Sequence, residues 1–403
     1  MKTRKFRLAS LLSIFVFLFT SMAYAKGEGR IVGLDENVSA YLIGNEETGD
    51  IYYEKNADEV RPIASLTKLM TFYLVRDAIE EGKISLDTNV KADKRAEELT
   101  SWEYSALGLK ENETYSVEEL LQGLIAVSGN DCAHLLAKAV SGSEEAFTKK
   151  MNEKAKELGL ESQKYYNASG IDTEDDKENV SSARDLYKLS MDLVKKYPDI
   201  LNYSSMDEVN IPGKGIKKDS TIPLKNEIDG VDGLKTGTTE KAGYCLITTL
   251  DMKELDGNDD FRCLGVVLGA DEKDIRDSVM SDLIYYVSRY YSCEKVLDTN
   301  RSVESVEEVS AKQGYIDLYP AEDLTIISKD KKHVSTKVNL DKNIKAPIKK
   351  GQVLGSVDVN YEGEDYKIDL LSRDDVEEAS TFGKITRNVK NNVNFLLQLL
   401  IAR

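Results

Sequence analysis

Histidine is nearly missing from this chain, with only His134 and His333 among 403 residues. A histidine-rich metal site is all but excluded, and so is a Ser-His-Asp triad unless one of these two is its base. The four cysteines, Cys132, Cys245, Cys263 and Cys293, include no CxxC pair, which argues against zinc and thioredoxin-type chemistry. Their spacing shows no small-domain disulfide framework, so buried free thiols are favoured, with a Cys245–Cys263 bridge left open. Net positive charge is also absent. The 71 acidic residues exceed the 54 basic ones, giving −17. Phosphate binding needs a basic face, so nucleic acid is excluded as a main partner.

The length fits two or three domains, and 41% apolar residues allow a sizeable core. Lys2, Arg4, Lys5 and Arg7 precede the apolar run from Leu8 to Phe19, and Ala23-Tyr24-Ala25 follows. This predicts a signal peptide over 1–25, cleaved after Ala25, and therefore a protein working outside the cytosol. An uncleaved anchor is the alternative, but a span needs about 20 apolar residues and this run falls short. At the other end, 383–403 carries Lys384, Arg387, Lys390 and Arg403 and no acid. Ile385, Val389, Val393, Leu396, Leu397 and Leu400 recur there at helical spacing. Such a helix suits an anionic membrane surface or the protein's own core. Its contrast with the acidic body favours the membrane.

Between these ends, Ala40 to Tyr53 reads as two strands around the Glu46–Gly49 turn. Helices are expected over Ser65–Glu81, Val117–Val127, Cys132–Val140, Ser182–Lys196 and Asp277–Tyr290. The second of these has Ser116 as N-cap and Glu119 as its capping-box partner. Tyr244-Cys245-Leu246-Ile247 and Leu264–Leu268 look like paired strands. Strands thus stand at both chain ends of this domain, with helices between, an α+β arrangement over 26–295. After about Val296, short segments of period two appear at Leu324–Ser328, Val334–Val338, Val353–Asn360 and Tyr366–Leu371. They predict a small all-β module over 300–378.

Three short patterns carry the chemistry. Ser65-Leu66-Thr67-Lys68 places an amine one helical turn from a hydroxyl. Ser128-Gly129-Asn130, between two helices, offers a hydroxyl and an amide. Lys235-Thr236-Gly237 opens an edge strand, where the glycine would let a substrate backbone come close. Each alone is weak, and Ser-x-x-Lys recurs without meaning at Ser292 and Ser328. Together, in this order, they match the set described for serine enzymes that acylate on β-lactams.

The chain resembles the low-molecular-mass penicillin-binding proteins that are D-alanyl-D-alanine carboxypeptidases. The likeness extends to Glu54-Lys55-Asn56-Ala57, Ala64–Thr71, Asp232–Gly237, Lys241–Tyr244 and Ala346–Gln352. It implies a penicillin-binding/β-lactamase-like transpeptidase fold, a sandwich-like β domain and an amphipathic tail. It implies Ser65 as nucleophile, Lys68 as base and Ser128 as proton relay. Asn130, Lys235, Thr236, Gly237 and Thr238 would bind substrate, with the Ser65 and Thr238 backbone N–H groups as oxyanion hole. Arg276 stands where the family places a carboxylate-recognising arginine. Lysine titrates near about 10.4, so Lys68 must be depressed by burial and a second cation, for which Lys235 is the choice. The substrate implied is a peptidoglycan stem peptide ending in D-Ala-D-Ala, with β-lactams as inhibitors and no metal or cofactor.

Two stretches depart from the family. Ser220–Leu224 lacks an Asn-x-Asn, and Glu178–Asp185 lacks a histidine. Both bear on side-chain preference rather than chemistry. A serine β-lactamase is the nearest rival. It would read Ser-Asp-Asn in the second motif and needs a glutamate to activate the deacylating water. A catalytically silent wall-binding protein is the other rival, and would not need all five of Ser65, Lys68, Ser128, Asn130 and Lys235.

Overall fold

In the computed structural model, the described residues are 37–101, 105–171, 177–256, 260–330 and 334–401. The expected signal segment, 1–25, lies outside them, as does His333. Five antiparallel strands form the first sheet: β1 (Val38–Asn45), β2 (Ile51–Lys55), β3 (Lys235–Thr239), β4 (Gly243–Asp251) and β5 (Arg262–Ala270). Their order is β2-β1-β5-β4-β3. Both chain ends of the domain supply strands, as expected. Side-chain alternation splits each central strand between two cores. Ala40 and Leu42 of β1 join one core, while Tyr41 and Ile43 join the other. With both faces covered, these strands read as continuous apolar runs rather than alternating ones.

One face carries α1 (Lys68–Glu80), α2 (Val117–Ile125), α3 (Asn130–Ser141), α4 (Glu144–Glu157) and α5 (Ala183–Lys196). The other face carries α6 (Lys273–Tyr290). The capping box at Ser116 and Glu119 is present, with both reciprocal bonds formed. Helix α1 is buried at every position from Lys68 to Val75, so it is a central rod rather than a surface helix with one apolar face. Its predicted first turn differs. Ala64–Thr67 is a 3-10 turn entered through Ala64 at φ +47°, and the α-helix begins at Lys68.

Helix α6 runs directly into β6 (Tyr291–Leu297), which pairs with β9 (Leu324–Lys329). The second sheet contains β7 (Glu304–Glu307), β8 (Tyr315–Pro320), β10 (Ser335–Leu340), β11 (Val353–Tyr361) and β12 (Glu364–Ser372), in the order β7-β8-β12-β11-β10. Both sheets feed one apolar core containing Leu297, Ile326, Val357 and Leu370, which makes the module sandwich-like. Helix α7 (Thr381–Ile401) follows. No helix among the described residues is long and apolar enough to cross a membrane.

None of the four cysteines is in a disulfide. The register explains why Cys245 and Cys263 cannot pair. Leu250, not Cys245, stands opposite Cys263. Five residues of strand separate Cys245 from that position, about 16 Å at the usual rise, far beyond disulfide reach. Alkylation of the unfolded, unreduced protein should therefore label four thiols by mass spectrometry. Fewer labels would contradict this register.

Candidate active site

Three chain segments converge on one amine. Lys68, fully buried, places Nζ 2.7 Å from Ser65 Oγ, 2.7 Å from Asn130 Oδ1 and 2.7 Å from the Ser169 carbonyl oxygen. A lysine ammonium has three donors, which this arrangement uses completely. A neutral amine fits equally well. Two N–H groups go to the two carbonyl-type oxygens, and the lone pair faces the Ser65 hydroxyl.

Burial favours the neutral form and brings the Lys68 pKa down to about 7, while the nearby Asp131 carboxylate pulls the other way. The second cation nearby is Lys235, and the two buried amines repel each other, which bears on Lys235. Its pKa is pushed well down by complete burial, then by Lys68 and Arg276. Lys235 is held by a 2.9 Å bond to the Thr236 carbonyl.

The nucleophile's turn is fixed by residues that the motifs do not contain. Asn179 is the hub. Its carbonyl accepts from Ile63 N–H at 3.1 Å, and its amide donates to Thr67 Oγ1 at 3.0 Å and the Asn167 carbonyl at 2.9 Å. Asn167 Oδ1 in turn accepts from the Ser169 and Gly170 N–H groups, shaping the loop whose carbonyl reaches Lys68. Gly170, at φ +85°, packs so tightly that an added Cβ would lie 1.9 Å from the Ala64 carbonyl oxygen. Ala64, at φ +47°, is itself left-handed, directly before the nucleophile.

Asp131 performs the same service for the second motif. Its fully buried carboxylate accepts from the N–H groups of Leu107, Gly108, Leu109 and Cys132. The Asn130 N–H donates to the Ser105 carbonyl at 2.9 Å. Asn130 is therefore the first residue of α3 with its amide already aimed. Ser128 is buried at φ +62°, and among the described residues no hydrogen bond fixes its hydroxyl.

The third motif forms β3, an edge strand lying against the nucleophile's turn. Gly237 is required here by the protein itself. A Cβ there would sit 2.9 Å from the Ile63 carbonyl and 3.1 Å from the Ser65 nitrogen. Thr238 follows on the same strand and is exposed. Thr236 Oγ1 meets Thr221 Oγ1 at 3.2 Å, and Thr221 N–H donates to the Ala126 carbonyl just before the second motif. Thr221 lies in the stretch that departs from the family, and it joins two motifs.

Arg276 is only 3% exposed, so it is a buried cation rather than a surface charge. Its Nε donates to Asp277 at 2.8 Å. Nη2 is 2.7 Å from the same carboxylate oxygen but poorly aligned, so its hydrogen-bonding capacity is unused among the described residues. His134 bonds Asp93 and Glu144 through its two ring nitrogens and takes no part in the Ser65 cluster. No cluster of metal ligands occurs among the described residues.

A family model described as D-alanyl-D-alanine carboxypeptidase matches residues 33–272, and a penicillin-binding protein 5 C-terminal domain model matches 291–378. This chain belongs to the D-alanyl-D-alanine carboxypeptidase family. It is a serine-type carboxypeptidase of cell-wall metabolism and has the fold that the resemblance implied. The Bacillus subtilis D-alanyl-D-alanine carboxypeptidase DacF is 34% identical over 362 residues, 88% of this chain and 90% of that one. The Streptococcus pneumoniae PBP3 structure superposes with TM-score 0.67 at 28% identity, covering 85% of this chain and 99% of that one. The cefotaxime-bound Listeria monocytogenes penicillin-binding protein D2 has TM-score 0.55 at 34% identity, covering 62% of this chain and 96% of that one.

Because Lys68 must be neutral to accept a proton, its depressed pKa predicts a pH profile. Penicillin acylation should rise about tenfold per pH unit below 7 and level off above it. A rate that is flat from pH 5 to 9 would rule Lys68 out as the titrating base.

Proposed function

We propose that Ser65 Oγ attacks the carbonyl carbon of the penultimate D-alanine of a peptidoglycan stem peptide, passing its proton to neutral Lys68. The observation that carries this is the three-contact environment of Lys68 Nζ, which leaves a lone pair facing the hydroxyl. The backbone N–H groups of Ser65 and Thr238 hold the developing oxyanion, each such donor being worth about 3 kcal/mol. Ser128 relays the proton to the departing D-alanine amine, and Asn130 positions the substrate amide. The terminal carboxylate lies beside Lys235, Thr236 and Arg276. Its negative charge would restore the Lys235 ammonium that burial disfavours and would engage the unused Arg276 Nη2. Water then cleaves the ester and frees Ser65.

Intact-mass spectrometry with penicillin tests this reading. One penicilloyl adduct on the wild type, none on Ser65→Ala, slow loss of the adduct, and D-alanine release from a D-Ala-D-Ala peptide are expected. Rapid loss of the adduct would make the protein a β-lactamase, and no adduct would make it a silent wall binder.

We also propose that α7 rests on a membrane surface. Phe382 (80% exposed), Ile385, Val389 and Val393 present an apolar stripe to solvent. The polar side faces inward at its start. Arg387 donates to the carbonyls of Val309, Ala311 and Lys312, and Lys384 pairs with Glu378. Those two cations hold the helix to the β domain instead of meeting lipid headgroups, so apolar insertion dominates. The wild type should float with phosphatidylglycerol/phosphatidylcholine vesicles, and Ile385→Glu with Val389→Glu should abolish flotation. Unchanged flotation of that double variant would refute the stripe's role.

A further inference from the structure

A cavity of about 810 Å³ lies between the two domains, at the β2 edge of the first sheet. The Lys235–Gly237 strand forms the opposite edge. Four strand spacings separate the edges, about 19 Å, so this cavity is distinct from the Ser65 cluster. Its volume is within the range of small-ligand sites.

Tyrosine dominates its walls: Tyr52, Tyr286, Tyr290, Tyr291, Tyr361 and Tyr366. Four of these rings are contiguous, Tyr291 also meeting Tyr286 at 6.2 Å. Tyr52 and Tyr291 have centroids 4.2 Å apart, and Tyr286 and Tyr290 4.9 Å apart. Tyr290 is 37% exposed, with the Arg289 guanidinium 5.6 Å from its ring centroid. Tyr286 is 6% exposed, and its hydroxyl has no hydrogen-bond partner among the described residues. The remaining charges are unbalanced. Asp50, Asp330, Glu362 and Glu364 line the cavity with Lys329 as the one cation among its lining residues.

We propose that this cleft binds the glycan strand of the wall, whose backbone of N-acylated amino sugars is neutral. The ligand class rests on the carboxypeptidase reading. The site itself rests on the cavity and its lining. Tyrosine rings offer flat apolar faces for the C–H faces of pyranose rings, with a polar edge for their hydroxyls. The carboxylates accept from sugar hydroxyls and from N-acyl amide N–H groups. Four carboxylates against one lysine repel phosphate or carboxylate carried on a polymer's backbone, which leaves the neutral sugar backbone as the fitting wall component. A strand held here raises the local concentration of its own stem peptides at Ser65.

The test is calorimetric titration of the full exported protein with the tetramer of N-acetylglucosamine. Saturable binding is expected, unchanged within twofold in Ser65→Ala and after penicillin acylation. It should weaken at least tenfold in Tyr290→Ala and in Tyr366→Ala. The exposed-hairpin variant Glu364→Gln, which leaves the rings intact, should weaken it about threefold. Unaltered penicillin acylation in these variants would show that the catalytic domain is folded. No saturable binding, binding abolished by acylation at Ser65, unaffected variants, or preference for a glycerol-phosphate polymer or a lysine-rich peptide would each overturn the site. Adducts and D-alanine release measured on the same preparations keep the two readings apart. Their absence sinks the carboxypeptidase reading, whereas intact chemistry without sugar binding sinks only the cleft.

Discussion

A single amine, taken entirely out of water, organises this protein. Burying an ammonium is costly unless it is paired or neutral, and among the described residues no carboxylate is bonded to Lys68. Its three contacts are to a hydroxyl, an amide oxygen and a backbone carbonyl. The site therefore tolerates the neutral amine as readily as the cation. Reactivity at Ser65 depends on that indifference, since a base locked in its charged form could not take a proton.

Holding three separate segments around one nitrogen requires rigidity from elsewhere. Much of it comes from polar side chains bonded to backbone rather than to one another. Asn179 ties the nucleophile's turn to the loop bearing Ser169, and Asn167 shapes that loop. Asp131 gathers four N–H groups from two segments. Gly170 and Gly237 lie where backbone meets backbone with no room for a Cβ. These are close approaches that only glycine allows.

This division explains what could be read from the sequence. The catalytic motifs were legible because the chemistry dictates both residue type and short spacing, as between Ser65 and Lys68. The strands of the first sheet and the Ser116 capping box were legible because they follow local periodicity and local hydrogen bonding. Asn179, Asp131 and Thr221 were not legible, because each acts across tens of residues on backbone groups that leave no mark in sequence. Strands β6, β7 and β8 were missed for a different reason. Tyr291–Leu297 continues a helix with no breaker between, and Glu304–Glu307 is short and mostly polar. At Gly237 the sequence signals a close approach but not that the Ile63–Ser65 backbone makes one.

Asp131 shows how structural and chemical demands are reconciled. A buried carboxylate beside Lys68 would ordinarily hold the lysine charged, and its field does act in that direction. Yet its oxygens already accept four backbone N–H groups, whose dipoles oppose its charge as felt by neighbours. Desolvation of Lys68 is the larger effect, and its pKa falls to about 7. The four N–H groups are also what keeps Asp131 ionised in a dry site. Stripped of them, the carboxylate would take up a proton, and the segment from Leu107 to Leu109 would lose the acceptor that orders it.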